Sequence, residues 1–271
     1  MYPPEFEYVK VYTVGEAVRR LSAEGAVALA GGQSLIPLLK LRLISPTLVV
    51  DLGGIRELRY VQYGDVVKIG ALTRHYELEN SPCPLLRETA RRIGDQQIRS
   101  LGTVGGSLAH ADPLGDWPVA MLAAGASLVA EGPSGRREVE VDDFFRGPYS
   151  TALERGEVLT EVRLKCPPRV AFVKFSRRHN DFALVAVAVA AEVEEGHVKW
   201  VRIAASGVAD KPIRLKKAEA AALGSRLSKD AVVEIAEVAA KEVEPPSDFR
   251  ASSEYRRALV KVGVKRALER L

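Results

Sequence analysis

Apolar positions recur at two different periods along this chain, and the switches between them divide it into units. Val14, Ala17, Val18 and Leu21 fall at helical spacing behind a Thr13-Val14-Gly15-Glu16 capping box, and Gly25 ends that helix. Residues 26–30 then read as a short buried strand, 31–34 as a turn, 35–42 as a helix and 47–51 as a strand. This β-α-β-turn-α-β order predicts a small α+β unit over 1–55. A second unit, 56–166, holds a strand at 66–72, with Thr73 placed to cap a helix directly after it. Pro84 opens a helix over 85–93, and 117–124 reads as another. A hairpin joins 126–131 to 136–141 around Gly132-Pro133-Ser134-Gly135, an aromatic loop covers 144–149, and a strand at 158–164 closes the unit. Pro167-Pro168 is the clearest boundary. Beyond it, 167–271 shows three alternating strands (171–177, 182–194 and 199–206) and three helices (216–223, 229–243 and 254–271). A meander followed by helices is a further α+β module.

Two stretches follow neither period. One is Ala30-Gly31-Gly32-Gln33-Ser34, between an apolar run and a leucine-rich one; the other runs from Leu101 through Gly102, Gly105 and Gly106 to Asp112, Asp116 and Pro118. Glycines let a backbone take positive φ and let a ligand come close to the main chain. Successive free N–H groups cradle anions, most often phosphates. Two such stretches in one domain suggest two walls around one diphosphate, with hydroxyls from Ser34, Thr103 and Ser107. Neither has the spacing of a Rossmann fingerprint or a P-loop, and ordinary turns also use Gly-Gly pairs.

Composition narrows the class. With 271 residues, 47% of them hydrophobic, the chain can bury two or three small cores. No apolar run reaches the roughly 18 residues of a membrane span, and Met1-Tyr2-Pro3-Pro4-Glu5 lacks the form of a signal peptide. The 39 basic and 35 acidic residues are interleaved, as on a mixed surface, so the net charge of +4 does not by itself point to nucleic acid. Scarce Asn and Gln beside abundant Val, Glu, Lys and Arg lean towards a thermophilic source. Cys83 and Cys166 stand in unrelated contexts, which predicts neither a disulfide framework nor a cluster site and suits a reducing cytoplasm.

Single residues carry two readings each. Asp112 or Asp116 can accept from ribose hydroxyls; Asp116 can equally cap the helix that begins at Trp117. His110-Ala111-Asp112 is a metal pair by residue type but lacks a third ligand, and a structural loop explains it better. Phe172 and Lys174 share one face of a strand and could wall and charge-balance a flavin ring; on the residues alone, an ordinary strand residue beside a surface lysine explains them better. The run 177–181 (Arg-Arg-His-Asn-Asp) reads as a solvated turn. With four histidines and no nucleophile–base arrangement, any hard chemistry belongs to a cofactor.

Taken together, 30–37 and 103–113 resemble the FAD-binding medium subunit of the molybdenum hydroxylases, the group of carbon monoxide dehydrogenase, xanthine dehydrogenase and aldehyde oxidoreductase. The resemblance spans the chain. It continues through Phe144-Phe145 with 149–153, through 156–162, through 174–178 with Asp181-Phe182-Ala183, and through 248–256 (Asp-Phe-Arg-Ala-Ser-Ser-Glu-Tyr-Arg) at the start of the last helix. It implies a two-subdomain FAD-binding unit of the PCMH type followed by an α+β domain with a three-stranded antiparallel sheet. Carried over residue by residue, the FAD contacts fall on Ala30, Gly31, Gly32, Gln33, Ser34, Leu35, Thr103, Val104, Gly105, Gly106, Ser107 and Asp112, with Asp116 near the adenosine side and Leu159, Phe172 and Lys174 by the flavin. Ser107 departs from the Asn of many relatives, and Phe172 from the Tyr of some. The resemblance also implies partners: a large molybdopterin subunit that oxidises the substrate (an aldehyde or carbon monoxide by motif wording), a small subunit with two [2Fe-2S] clusters, and a dimer of heterotrimers. Electrons would pass through FAD here to an external acceptor. A self-contained FAD oxidoreductase and a non-catalytic basic binding protein are the alternatives.

Overall fold

The computed structural model describes residues 2–271. Thr13 caps α1 (Val14–Leu21), its hydroxyl accepting from the Glu16 N–H at 3.2 Å. The buried stripe Val14, Ala17, Val18, Leu21 then packs α1 over Val11, Val50 and Leu52. Around it β1 (Glu7–Lys10), β2 (Ala26–Leu29) and β3 (Leu48–Asp51) form a parallel sheet in the order β1-β3-β2, with α2 (Leu35–Lys40) between β2 and β3.

The second unit is an antiparallel sheet, ordered β4-β5-β10-β6-β7, from β4 (Val61–Gln62), β5 (Val67–Gly70), β6 (Ser127–Gly132), β7 (Gly135–Glu140) and β10 (Val158–Leu164). Its helices are α3 (Pro84–Ala90), α4 (Gln96–Leu101), α5 (Val104–His110), α6 (Asp116–Ala124) and the short α7 (Val141–Phe144), followed by the ribbon β8 (Phe145–Gly147) and β9 (Ser150–Thr151). All nine residues of α6 are buried, so it is a central helix rather than an amphipathic surface one. Two helices go beyond the sequence reading: α4 is not among the expected elements, and α5 begins inside the second glycine stretch, which follows no period.

In the third unit β11 (Arg169–Phe175), β12 (Val185–Glu194) and β13 (His197–Ser206) form the expected antiparallel meander, and a short fourth strand, β14 (Ile213–Arg214), joins its edge. Helices α8 (Lys216–Ala222), α9 (Lys229–Glu242) and α10 (Ser253–Leu268) cover one face. The alternation in β12 explains the layering. Val185, Val187 and Val189 pack into the core under these helices, whereas Ala186, Ala188 and Ala190 belong to the core that contains α6. Small residues on that second face let α6 close against the sheet, which docks the third unit on the second.

The cysteine expectation is overturned. Cys83, just before α3, and Cys166, just before β11, are joined in a disulfide with Cα atoms 5.7 Å apart. The sequence separation of 83 residues hid the pair. Cysteine usage therefore gives no support to a reducing compartment. Among the described residues no helix is long and apolar enough to cross a membrane, and no group of three His, Cys, Asp or Glu could hold a metal ion.

Candidate functional site

The first glycine stretch leaves β2 and turns into α2. Gly32 takes φ +72°, a conformation a side chain would strain. The N–H groups of Gly31, Gly32, Gln33, Ser34 and Leu35 find no acceptor among the described residues; the nearest bond is Gln33 Nε2 to the Gly31 carbonyl at 3.3 Å. Five consecutive free donors with the Ser34 hydroxyl beside them form an anion-binding concavity.

The second stretch has a different construction. Thr103 caps α5, its Oγ1 accepting from the Gly106 N–H at 3.1 Å. Val104 N–H donates to the Thr73 carbonyl and Gly105 N–H to the Ala71 carbonyl, both at 2.9 Å, and Ser107 N–H to the Thr103 carbonyl at 3.0 Å. All four donors are spent inside the protein. Its glycines serve close packing instead: a Cβ on Gly105 would lie 2.5 Å from Ala71 Cβ, and one on Gly102 would lie 2.6 Å from His75 Nε2. The expectation of a positive-φ turn at Gly102, Gly105 and Gly106 is thus corrected.

The two stretches touch. A Cβ on Gly31 would collide with the Leu101 carbonyl and lie 2.7 Å from Gly102 Cα, and a Cβ on Gly106 would face Ala30 Cβ at 3.5 Å. The pairing inferred from composition is therefore spatial. Sequence reasoning missed the residue that holds the second wall. His75 is 4% exposed, accepts from Trp117 Nε1 on Nδ1 at 3.0 Å, and donates its main-chain N–H to the Gly102 carbonyl at 3.1 Å. Burial, aided by the Arg99 charge, pushes its pKa down to about 3, so the ring is neutral and can accept the indole proton. A lone histidine 27 residues before Gly102 carries no signal of this in sequence.

Asp116 is the first residue of α6, behind a Gly115 cap, so it is not the capping residue. Its Oδ2 bonds Lys174 Nζ of β11 at 2.7 Å, with side chains 9% and 6% exposed. Lys174 Nζ also donates to the Arg92 carbonyl at 2.9 Å. Burial raises the Asp116 pKa to about 6, against the pull of Lys174. Asp116 Oδ1 is buried without a partner among the described residues, an acceptor that a donor from a bound ligand would satisfy. The expectation placed Asp116 and Lys174 at opposite ends of a dinucleotide; the structure puts them in one ion pair.

Other candidates fall elsewhere. Asp112 Oδ1 accepts from Leu114 N–H at 2.8 Å and closes a turn, and His110 stacks against Tyr149 with ring centres 5.1 Å apart, so the two form a loop rather than a metal pair. Phe172 is 1% exposed inside the core and leaves no ring face for a ligand; it shares a strand face with Lys174 as expected but packs the domain junction. Leu159, 5% exposed, flanks a β-bulge in β10. Ser107 is half-buried, and its hydroxyl is free among the described residues. The free donors of 31–35 and the unpartnered Asp116 oxygen fit a ligand with a diphosphate and a hydrogen-bonding head.

Comparison with known proteins agrees. The family described as the FAD-binding domain in molybdopterin dehydrogenase matches residues 4–166, and the CO dehydrogenase flavoprotein C-terminal domain matches 170–271. The chain belongs to this family of FAD-binding medium subunits. It is 39% identical to the glyceraldehyde dehydrogenase medium chain of Sulfolobus acidocaldarius, over 99% of both chains. It is 40% identical to the carbon monoxide dehydrogenase medium chain of Hydrogenophaga pseudoflava, over 99% of this chain and 97% of that one. The solved structure of the Hydrogenophaga pseudoflava enzyme, in a form lacking the Mo-pyranopterin moiety of its molybdenum cofactor, superposes with a TM-score of 0.96 over 100% of this chain and 98% of its own. Quinoline 2-oxidoreductase from Pseudomonas putida 86 gives 0.94 at 33% identity over 99% and 97%. The FAD-binding medium subunit is thus an oxidoreductase component, with the α+β units that the resemblance implied.

Proposed function

We propose that this medium subunit is the electron-transfer flavoprotein of a heteromeric molybdenum hydroxylase, receiving electrons from [2Fe-2S] clusters of a small partner subunit and passing them to an external acceptor. The substrate, an aldehyde or carbon monoxide, is oxidised in a large molybdopterin subunit, and the assembly is a dimer of heterotrimers. The observation that carries the reading is the run of free N–H groups from Gly31 to Leu35 in the part of the chain that matches the FAD-binding domain. FAD supplies the one- and two-electron chemistry. Gly31, Gly32, Gln33, Ser34 and Leu35 bind the diphosphate through main-chain donors. Ala30 and Gly106 lie where the two stretches meet, and Ser107 Oγ is available to the same ligand. Thr103, Val104 and Gly105 hold the second wall in place through their own hydrogen bonds. Asp116 accepts a ligand donor on Oδ1 while Lys174 keeps its other oxygen charged, and Leu159 borders the head group from the bulge. No proton-transfer residue is needed, in keeping with the neutral His75. We place it in the cytoplasm, where a disulfide persists if the thermophilic source suggested by the composition is an extreme one.

The test is purification of the native complex. FAD released intact at about one per chain, together with molybdenum and iron in co-purifying subunits, is the expected result. A chain that purifies alone and turns over a substrate by itself would overturn the electron-transfer reading in favour of a self-contained oxidoreductase.

A further inference from the structure

The stretch 248–256 marks the start of the last helix, and nothing in the flavin reading gives it a task. Its last residue, Arg256 in the first turn of α10, is 1% exposed. A guanidinium buried this deeply is costly unless its donors are used. Arg256 donates to the Leu184 carbonyl, to the Gly207 carbonyl at 3.4 Å and to Asp248 Oδ2 at 2.8 Å. Asp248 is locked in turn, its Oδ1 accepting from the N–H groups of Arg250 and Ala251 at 2.9 and 3.0 Å. These bonds, with the Arg256 charge, hold its carboxyl below the usual range against a desolvation that acts the other way.

The two carbonyls lead to the two halves of the buried ion pair. Leu184 donates its own N–H to the Phe175 carbonyl at 2.7 Å, and Phe175 follows Lys174. Gly207 donates its N–H to the Pro113 carbonyl at 3.1 Å, and Pro113 lies in the loop that delivers Asp116. Gly207 has φ +75°, and any Cβ there would run into the Leu184 carbonyl, so the two turns are drawn together as tightly as backbone allows. One guanidinium therefore joins the end of β11 to the loop before α6, across the junction of the second and third units.

We propose that Arg256 is a positioning residue that fixes the Lys174 strand against the Asp116 loop, and so sets the geometry of the Asp116–Lys174 pair at the flavin site. The geometric claim stands on the bonds above; its consequence for FAD rests on the function proposed for this subunit.

The experiment uses the full chain, first without and then with FAD, and compares wild type with Arg256→Lys, Asp248→Asn and, as a control on the same helix, Lys265→Ala. Lysine keeps the charge but cannot fork to two carbonyls and a carboxylate. Amine acylation followed by mass spectrometry reads the exposure of Lys174 without any cofactor. Arg256→Lys is expected to raise the Lys174 labelling rate about ten-fold, with other lysines unchanged, and to weaken FAD binding by a similar factor. Asp248→Asn gives a smaller rise, and Lys265→Ala none. Wild-type labelling of Lys174 in folded Arg256→Lys overturns the proposal. If Arg256→Lys fails to fold, Asp248→Asn decides: faster labelling supports the proposal and an unchanged rate overturns it. Faster labelling with unaltered FAD affinity leaves the positioning role standing and removes the pair from the flavin site.

Discussion

The two glycine stretches look alike in sequence and do opposite work. At 30–35 the glycines free the main chain: Gly32 sits at positive φ, and five consecutive donors point at nothing in the protein. At 102–107 the glycines compress it: Gly102 and Gly105 bring a helix start against His75 and Ala71, and every donor from Val104 to Ser107 is consumed. The first wall leaves its donors open, and the second spends its own on the chain and packs against the first. Glycine content alone reports that a backbone comes close to something; only the hydrogen-bond partners say whether that is a ligand or another part of the chain.

Substitutions separate the two roles. Gly31→Ala sets a methyl group against the Leu101 carbonyl and Gly102 Cα, backbone that cannot step aside. It should cost about 3 kcal/mol in urea unfolding and leave no recoverable FAD. Gly105→Ala meets Ala71 in the same way but away from the free donors. A loss of about 2 kcal/mol is expected, with FAD retained by the molecules that fold. Gly32→Ala meets side chains alone, Ile36 Cδ1 at 2.6 Å and Leu29 Cδ1 at 3.4 Å, so its main cost is the left-handed backbone, about 1–2 kcal/mol. Its effect on the FAD dissociation constant should exceed its effect on stability, because the strain relaxes by turning the free donors away. Gly106→Val sets its Cβ 2.7 Å from Thr103 Oγ1, the cap of α5, and turns towards Ala30 at 3.5 Å, so it should cost about 1 kcal/mol in urea unfolding and lose flavin as well.

A further effect is one of pH. His75 titrates at about 3 when folded and near 6.5 when unfolded. A base with a lowered folded pKa binds more protons in the unfolded state within that window, so its contribution to stability is complete above pH 6.5 and falls as the pH drops towards 3, by up to about 1.4 kcal/mol per unit. Urea midpoints measured from pH 7 to pH 4 should show this slope, and His75→Gln should flatten it. Asp116 acts in the opposite sense: its raised carboxyl favours the folded state most below the unfolded value of 3.8, and that benefit is lost as pH rises through about 6. Asp116→Asn should remove that part of the profile.

What the sequence made legible was local. The stripe of α1, the Thr13 cap, the hairpin at Gly132–Gly135 and the Val/Ala alternation of β12 carry their periods in consecutive residues. The chemistry of the first wall was legible by type, because Gly-Gly beside a hydroxyl offers main-chain donors at close range. Most of the other misses were long-range, although α4, capped by Asp95, was missed on local residues. Helix α5 begins with two poor helix formers, Gly105 and Gly106, right behind Val104, and is held by carbonyls of Ala71 and Thr73, more than thirty residues away. The Asp116–Lys174 pair spans 58 residues and the disulfide 83. Phe172 was assigned to a ligand wall because strand parity shows which side a residue faces, not whether that side is a cleft or a core.

Hydrogen exchange of the FAD-free and FAD-loaded subunit, read by mass spectrometry at peptide resolution, tests the distinction between the walls most directly. The account predicts fast exchange at 31–35 in the free chain, strong protection there once FAD is bound, and little change at 104–107, where the amides are already bonded. New protection confined to 104–107, with 31–35 unaffected by FAD, would contradict it.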